Sequence, residues 1–385
     1  MNTMICWRRL IVEKLKILII SGEYYSKEGG GIGKLVLDLR DGLIEKGHST
    51  DVIHYCNIKK YENMNKFYKI QKNNFPIISS FLWSYRVKNH LRKILNKRRY
   101  DVVHCHMPTA MIYPLIHDKK IPLVITFHTT GTDFTNFIKI SLENKKDLLC
   151  ARRAHELITV SQKVRKELIH LGVEKEKVNY IPNGINLHQK KSFAKDRKIL
   201  KRYNVEKNDI VFLYVGRINE RKGLFYLIQA LNRFSEKTKI NFKAFIIGDG
   251  RYRKEMMRIN NHPEKVFFPG FIDKDELTKY YSISDILVFP SLSESLPIVL
   301  LESMKHGLGI IASDIDGIND ICNPSFSKLI PPKDIMSIYN ALIELSENKD
   351  LLEKMKNNSR SEVKKFSMDK MIAKTEKVYK RAIGK

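Results

Sequence analysis

The sequence repeats one pattern, a short apolar run followed by a polar or glycine-rich loop and an amphipathic segment, in two successive series. Short continuous apolar runs are typical of strands buried in a parallel sheet, and their alternation with helices predicts a doubly wound α/β fold. The first series of predicted strands comprises Leu15–Ser21, Thr50–Tyr55, Asp101–His104, Pro122–Phe127, Leu157–Val160 and Val178–Ile181. The second comprises Ile210–Val215, Phe242–Ile247, Val266–Phe268, Ile286–Phe289 and Gly309–Ala312.

Two series in one chain predict two domains. A length of 385 residues exceeds the roughly 100–150 residues of a typical domain and fits two. The periodicity is lost near residues 184–200, so we expect a first domain over residues 1–188 and a second over residues 189–367. Ligands of such sheets bind outside the carboxyl ends of the strands, which predicts a cleft between the two domains.

The formal net charge of +27 raises the question of a nucleic-acid partner. Because the excess is spread over both halves of the chain, we expect no nucleic-acid partner, and a basic nucleic-acid-binding protein is a distant alternative. The segment Arg86–Arg99 is an exception, since apolar residues recur in it at helical spacing between basic ones: Val87, Leu91, Ile94 and Leu95. The favoured interpretation is a surface helix docked on the sheet, and the alternative is a patch that contacts anionic lipid headgroups.

Cysteine usage and the absence of long apolar runs bear on location. The five cysteines are dispersed without a CxxC pair, which is typical of reduced thiols in a cytosolic protein. No apolar run reaches the roughly 20 residues that span a bilayer, and residues 1–14 lack the apolar region of a signal peptide. We therefore expect a cytoplasmic protein, and the basic segment leaves peripheral attachment to the inner face of the membrane open.

Two loops that follow predicted strands suit a phosphorylated ligand. Gly29–Gly33 opens a helix, where glycine permits close backbone approach and the helix N-terminus favours an anion. Seven residues separate it from the strand, a spacing that argues against a nicotinamide dinucleotide site, and a turn without a ligand is the alternative. The loop Gly216–Gly223 contains Arg217 and Lys222, and fixed cations there would stabilise the charge on a diphosphate leaving group.

Two glutamates flank an apolar run that contains Pro297. Proline suits the first turn of a helix, so Glu294 is predicted in the preceding loop and Glu302 on the helix, a little over two turns away. The two carboxylates would then contact separate parts of an extended ligand that lies over the helix N-terminus. A capping pair on an exposed helix is the alternative.

Three histidines stand on or after predicted strands. His128 ends a strand on the side of the predicted cleft. His104 and His106 have the spacing of a metal-binding pair, but no third ligand accompanies them. We therefore expect these two histidines to be structural and predict no metal site.

In their order along the chain, the motifs resemble those of glycosyltransferase family four, the retaining enzymes of the GT-B fold. The resemblance rests on GGGIGKLVLDLRDGLIEKGH, DVVHCH, TFHTTGTD, VSQKVRKEL, YIPNGIN, YVGRINERKGLFYLIQAL, IIGDG, FPGFI, DILVFPSLSESLPIVLLESMKHGLGIIASDIDGI and FSMDKMIAKTEKVYKRAI. It extends over nearly the whole chain. It implies two Rossmann-like domains that face each other across a cleft, with a last helix over residues 368–385 that packs back onto the first domain.

The resemblance also implies roles in donor binding. Arg217 and Lys222 would hold the donor diphosphate, with the backbone of Gly31 approaching from the first domain. Glu302 would bind the ribose hydroxyls. Backbone amides would line the sugar and the phosphates at three positions: Leu296, Ile298 and Val299.

Two residues are implied to act at the reacting end of the donor. Glu294 would contact the transferred sugar near its reacting face, and His128 would reach the sugar and the incoming acceptor. The nucleotide diphosphate sugar is then a co-substrate, and the resemblance implies that neither a cofactor nor a divalent metal is required.

The implied activity is transfer of a hexosyl or N-acetylhexosaminyl unit, with retention of configuration, from a nucleotide diphosphate sugar to a hydroxyl acceptor. UDP is favoured over GDP as the donor nucleotide. The acceptor would be a glycan or glycolipid: a cell-surface polysaccharide, a lipopolysaccharide or a lipid-linked precursor. A GT-B-fold nucleotide-sugar epimerase and a nicotinamide dehydrogenase are the alternatives within enzymes.

Overall fold

The computed structural model describes residues 14–21, 31–55, 67–70, 91–107, 121–129, 148–188 and 195–384. Within these residues the chain forms two parallel sheets, of seven and of six strands. The prediction of an α/β fold with two doubly wound sheets is therefore confirmed. Some predicted features lie outside the described residues, namely residues 1–13, the glycines at positions 29 and 30, and residues 86–90 of the basic segment.

The strands of the first sheet are β1 (Lys16–Ser21), β2 (Ser49–Tyr55), β3 (Phe67–Ile70), β4 (Val102–Met107), β5 (Leu123–Phe127), β6 (Glu156–Thr159) and β7 (Val178–Tyr180). Its described helices are α1 (Gly31–Glu45), α2 (residues 91–97), α3 (residues 148–153) and α4 (Gln162–His170). The spatial order is β3-β2-β1-β4-β5-β6-β7.

The strands of the second sheet are β8 (Ile210–Val215), β9 (Phe242–Ile247), β10 (Val266–Gly270), β11 (Ile286–Phe289), β12 (Gly309–Ser313) and β13 (Ser327–Ile330). The accompanying helices are α5 (Arg197–Arg202), α6 (Leu224–Lys237), α7 (Arg253–Arg258), α8 (Lys274–Ile283), α9 (Ile298–His306), α10 (Ile335–Glu347), α11 (Lys349–Glu362) and α12 (Met368–Ile383). The spatial order is β10-β9-β8-β11-β12-β13.

Helices on both faces explain why the strands read as continuous apolar runs. In β1, Leu18 and Ile20 belong to the core on one face of the sheet, whereas Ile17 and Ile19 belong to the core on the other face. Strand β13 was not predicted because it lacks such a run: within Ser327–Ile330 only the first and last residues are buried. This pattern is typical of an edge strand.

The last helix, α12, packs against the first sheet although it follows the second in sequence. Met371, Ile372 and Tyr379 share a core with Ile17 and Leu39. This is the packing that the family resemblance implied for the end of the chain. The division into domains at residue 188 remains a prediction.

The chain passes between the two sheets at two adjacent segments. The amide of Ile185 donates a hydrogen bond to the carbonyl of Phe366 at 2.9 Å, and the amide of Met368 donates one to the carbonyl of Ile185, also at 2.9 Å. These bonds hold the outgoing and the returning segments side by side.

The described part of the basic segment agrees with the docked-helix interpretation. Leu91 and Ile94 are buried in the core of the first sheet, whereas Arg92 and Lys93 are exposed. The apolar residues of α2 are therefore already covered, although its exposed cations remain available to an anionic surface. Among the described helices, none is both long and apolar enough to cross a bilayer.

A polar cluster fastens α12 to the first sheet. Glu376 accepts hydrogen bonds from Lys46 and from His48, the latter at 2.8 Å, and the amide of Leu15 donates to the other ring nitrogen of His48 at 3.1 Å. Burial acts to raise the pKa of Glu376, but the bonds from Lys46 and His48 outweigh it and lower the pKa below its ordinary value of 4.5. The ionised carboxylate is thus favoured by the folded state.

We expect Glu376→Gln to lower the free energy of unfolding by about 1–2 kcal/mol at pH 7, since it removes charge-assisted hydrogen bonds. Because the pKa is lower in the folded than in the unfolded state, this stabilisation is present above pH 4.5 and is lost as the pH falls through the folded-state pKa. Denaturant titrations of both proteins between pH 7 and pH 3 measure the difference. The exposed Glu347→Gln is the control, and an equal loss in the two variants would contradict the expectation.

Candidate active site

Two loops of the second sheet meet where its strand order reverses. Because β8 and β11 are neighbours, the loop after β8 (residues 216–223) and the loop after β11 (residues 290–297) leave the same edge of the sheet. The amide of Leu292 donates to the carbonyl of Arg221 at 2.7 Å, and Oγ of Ser291 lies 3.2 Å from the same carbonyl oxygen. Open α/β sheets bind ligands at such a reversal.

Gly223 sets how closely these two loops approach. Its φ is 62°, in the left-handed region, and a Cβ at this position would lie 2.0 Å from the carbonyl oxygen of Pro290. No side chain larger than that of glycine fits without displacing the backbone. The glycine that ends the predicted phosphate-binding loop is therefore needed for the contact between the loops.

The loop contact brings two predicted site residues together. Lys222 Nζ donates a hydrogen bond to Glu294 Oε1, which also accepts one from Ser291 Oγ at 2.7 Å. The Lys222 ammonium lies 5.3 Å from the centre of the Phe289 ring. A cation expected at the diphosphate and a carboxylate expected at the sugar thus form an ion pair, a contact that their separation in sequence did not reveal.

A cavity of about 690 Å³ lies between the two sheets. Five of the nine predicted site residues line it, and they come from both halves of the chain: Gly31, Arg217, Ile298, Val299 and Glu302. Gly31 faces α9 closely, since a Cβ on it would lie 2.9 Å from Cδ1 of Ile298. Arg217 is exposed, and within the described residues no carboxylate forms a salt bridge with it. Its guanidinium is therefore available to an anion in this cavity.

The first turn of α9 contributes backbone donors to the same cavity. The helix begins at Ile298 with Pro297 as its N-cap, so Glu294 lies in the preceding loop and Glu302 lies on the helix, as predicted. The first amides of a helix lack an acceptor within it and attract anions. Leu296 does not line the cavity, and its carbonyl accepts a hydrogen bond from Asn183 at 3.3 Å.

Glu302 is partly buried and has several polar neighbours. The hydroxyl of Tyr281 donates to Oε2 at 3.0 Å, and Nζ of Lys274 lies 3.9 Å from Oε1. Burial raises the pKa of the carboxyl group, an effect opposed by Lys274, Tyr281 and Lys305 and reinforced by Asp38 of α1. A partly buried carboxylate that faces a cavity can accept hydrogen bonds from ligand hydroxyl groups.

Glu294 and His128 lie away from this cavity. Glu294 lines a second cavity, of about 400 Å³, together with Lys163 of α4 and Asp316. His128 follows the last residue of β5 and is 5% exposed. Burial lowers its pKa to about 4, so its imidazole is neutral at pH 7. Residues 130–147, which follow it in sequence, lie outside the described part of the chain.

His104, His106 and His128 lie together in one buried polar cluster. His106 Nδ1 lies 3.0 Å from His128 Nε2, and the His104 ring lies between Tyr379 and Thr126, each at 2.7 Å. In the described residues no group of three His, Cys, Asp or Glu side chains could hold a metal ion. This network is not predictable from local sequence patterns, because Tyr379 lies 275 residues after His104.

Lys305 is a further residue of the larger cavity and was not predicted from the sequence. It lies seven residues after Ile298 and three after Glu302 on α9, and Nζ donates to the carbonyl of Asn186 at 2.7 Å. The helical spacing from Glu302 would have identified it, since residues three apart share one face of a helix.

Family comparisons match both halves of the chain. Residues 29–189 match Glycosyltransferase Family 4, and residues 195–362 match Glycosyl transferases group 1. A relative named as an uncharacterized glycosyltransferase of Methanocaldococcus jannaschii is 28% identical over 96% of this chain and 99% of its own.

Two relatives carry names that state an activity. The UDP-Gal:alpha-D-GlcNAc-diphosphoundecaprenol alpha-1,3-galactosyltransferase of Escherichia coli is 29% identical over 75% of this chain and 77% of its own. The alpha-monoglucosyldiacylglycerol synthase of Acholeplasma laidlawii is 25% identical over 95% of this chain and 97% of its own.

Solved structures share the fold. Sucrose-phosphate synthase of Thermosynechococcus elongatus superposes with a TM-score of 0.80 at 20% identity, over 96% of this chain and 99% of its own. An Anabaena protein solved in complex with UDP and glucose superposes with a TM-score of 0.77 at 17% identity, over 94% of this chain and 98% of its own. With both family matches and this fold, the chain belongs to glycosyltransferase family 4 and is a group 1 glycosyltransferase of the GT-B fold.

Proposed function

We propose that the protein transfers a hexosyl or N-acetylhexosaminyl unit from a UDP-sugar to a hydroxyl group of a glycolipid or polysaccharide acceptor, with retention of configuration. The proposal is supported by the cavity of about 690 Å³ between the sheets, which Gly31, Arg217 and Glu302 line together with the first turn of α9. The Escherichia coli relative is named for a UDP-sugar donor, and the Anabaena structure contains UDP.

In this proposal Arg217 and the first amides of α9 bind the donor diphosphate. The guanidinium offers paired N–H donors to phosphate oxygens, and the helix N-terminus adds a favourable dipole. As the glycosidic bond breaks, negative charge grows on the diphosphate, so these fixed donors stabilise the transition state more than the ground state. Glu302 accepts hydrogen bonds from the ribose hydroxyl groups at the other end of the nucleotide.

Glu294 and Lys222 act at the junction between diphosphate and sugar. Entry of the diphosphate gives Lys222 a second anionic partner, so its bond to Glu294 is exchanged in part for one to the phosphate. Glu294 then turns a carboxylate oxygen toward the sugar, where positive charge develops in the transition state. The neutral imidazole of His128 contacts the sugar and the acceptor hydroxyl. No divalent metal is needed in this scheme.

The proposed acceptor is a glycolipid or a polysaccharide, and the proposed location is the inner surface of the cell membrane. One relative is named for a lipid-linked acceptor, GlcNAc-diphosphoundecaprenol, and another for a glycolipid product, monoglucosyldiacylglycerol. Exposed cations of α2, such as Arg92 and Lys93, would hold the protein at the anionic inner surface of the cell membrane. Flotation with vesicles that contain anionic lipid tests this attachment, and the absence of binding would contradict it.

The donor is identified by thermal unfolding with UDP, GDP, ADP, CMP and NAD, each with and without EDTA. A ligand that binds only the native state raises the melting temperature by mass action. We expect a shift with UDP that EDTA does not change. A shift in melting temperature with NAD alone would indicate a dehydrogenase. In a separate product assay, conversion of one UDP-sugar into another without formation of a glycoside would indicate an epimerase. If the protein bound nucleic acid but none of these nucleotides, with an affinity that falls steeply as the salt concentration rises, the proposal that the cavity binds a nucleotide sugar would be wrong.

Arg217→Ala should weaken UDP binding about tenfold to hundredfold, which corresponds to the ~1.5–3 kcal/mol of hydrogen bonds to a charged group. Calorimetric titration with UDP measures the change. The matched control is Arg258→Ala, an exposed arginine on α7 that does not line the cavity. Equal affinities of the Arg217→Ala and wild-type proteins would place the diphosphate elsewhere.

Glu302→Gln should make the unliganded protein more stable at pH 7 and weaken UDP binding about tenfold. The pKa of Glu302 is raised in the folded state, so the folded protein binds more protons than the unfolded chain and ionisation above pH 4.5 opposes folding. The gain in melting temperature should therefore disappear as the pH falls below 4.5. Melting curves from pH 7 to pH 4 with and without UDP test both effects. If Glu302→Gln were less stable than the wild type at pH 7, the conclusion that ionisation of Glu302 opposes folding would be wrong.

Glu294→Gln should leave UDP affinity equal or higher, because it removes the anion that neutralises Lys222. Sugar transfer should fall about a hundredfold or more, the cost of removing one preorganised electrostatic group. The comparison uses UDP titration and the rate of UDP release from UDP-galactose and UDP-glucose. Were UDP affinity and turnover to fall by the same factor, Glu294 would be a nucleotide-binding residue and not one that acts at the sugar.

A further inference from the structure

Three histidines lie together under α12, and the proposed chemistry uses only one of them. His106 Nδ1 and His128 Nε2 are 3.0 Å apart, with the ring centroids 5.3 Å apart and the ring planes inclined by only 19°. On the other side, the rings of His104 and His106 lie 4.4 Å apart. His104 is bonded through both nitrogens, to Tyr379 and to Thr126. All three histidines are buried.

The bond between His106 and His128 restricts which nitrogen of His128 carries the proton. A hydrogen bond between two ring nitrogens needs one protonated and one bare nitrogen. If His128 donates from Nε2, its Nδ1 is bare and can only accept. If His106 donates from Nδ1, then His128 Nε2 is bare, and the proton of the neutral His128 ring lies on Nδ1, which can only donate.

We propose that His106 is a positioning residue, which fixes the orientation and the tautomer of His128 and thereby decides whether Nδ1 of His128 acts on the substrate as a donor or as an acceptor. This inference rests on the proposed function, since it assigns His128 a contact with the sugar or the acceptor. His106 itself contacts His128 and is assigned no contact with the substrate.

The geometry assigns this role to His106 and a different one to His104. Both nitrogens of His104 are occupied, by Tyr379 and by Thr126, and its contact with His106 is made by the faces of the rings. His104 can therefore hold the His106 ring in place by packing but exchanges no hydrogen bond with it. Tyr379→Phe removes a hydroxyl from this network and leaves the bond between His106 and His128 intact, which makes it a matched control.

The test uses the full chain labelled with ¹⁵N in its histidine rings. Long-range ¹H–¹⁵N spectra at pH 7 report which ring nitrogen carries the proton in the wild type and in three variants: His106→Phe, His106→Asn and Tyr379→Phe. Phenylalanine keeps the ring and removes the hydrogen bond, whereas the short amide of asparagine can place a donor or acceptor near the position of Nδ1. The same proteins are assayed for the melting-temperature shift with UDP and for UDP release from UDP-galactose and UDP-glucose.

We expect one tautomer of His128 in the wild type, in His106→Asn and in Tyr379→Phe, and a mixture of two in His106→Phe. In His106→Phe, kcat should fall about tenfold, the effect of one hydrogen bond, while the shift with UDP stays unchanged. His106→Asn should recover most of this loss. Tyr379→Phe should lower the melting temperature without changing kcat.

Two results would overturn the proposal: a single unchanged tautomer of His128 in His106→Phe, or an equal loss of kcat in His106→Phe and Tyr379→Phe, which indicates a merely structural network. A wild-type protein that neither binds UDP nor releases it would instead contradict the proposed function. The ring spectra report on His128 in that case as well, so the two failures are distinguishable.

Discussion

The contact between the loop after β8 and the loop after β11 is the constraint on which the rest of the site depends. It exists because the strand order reverses between these two neighbours, and it is tight because Gly223 permits a backbone approach that no side chain would allow. This contact brings Lys222 and Glu294 together as an ion pair. The same reversal in the first sheet places Gly31 at the opposite wall of the cavity. Two sheets with the same strand order thus present corresponding edges to one cavity.

One residue of the larger cavity, Glu302, lowers the stability of the folded protein. Glu302 is partly buried beside Tyr281, with the nearest lysine nitrogen at 3.9 Å, so its carboxyl group ionises less readily in the folded protein than in the unfolded chain. Arg217, in contrast, remains exposed to solvent. Glu302 is therefore held in the site at a cost to folding, whereas Arg217 is not. In the proposed function, this division suits a site that must bind a nucleotide specifically and still release it after the reaction.

Most strands of the fold were predictable because buried parallel strands correspond to continuous apolar runs in the sequence. The position of Glu302 on a helix was predictable because Pro297 marks the start of that helix. What failed has a common cause. Strand β13 is an edge strand without an apolar run, and the ion pair between Lys222 and Glu294 joins residues 72 positions apart. The network from Tyr379 to His128 depends on a helix that follows the other sheet in sequence. Local sequence patterns predict helices and strands and where they end. Contacts between distant elements can be predicted only when the order of the strands in the sheet is known, and no single segment of the sequence specifies that order.

The return of α12 to the first sheet has a consequence for synthesis. Ile17, Val102 and Val124 line a face of that sheet that is covered in part by Met371 and Ile372, which are among the last residues to be made. The first sheet therefore cannot complete its core when its own strands have emerged from the ribosome, whereas the second has all of its strands and most of its helices by residue 362. Domains usually fold in the order of synthesis. Here the half that is translated first is finished last, and its uncovered apolar face is the surface that a chaperone would have to protect in the interval.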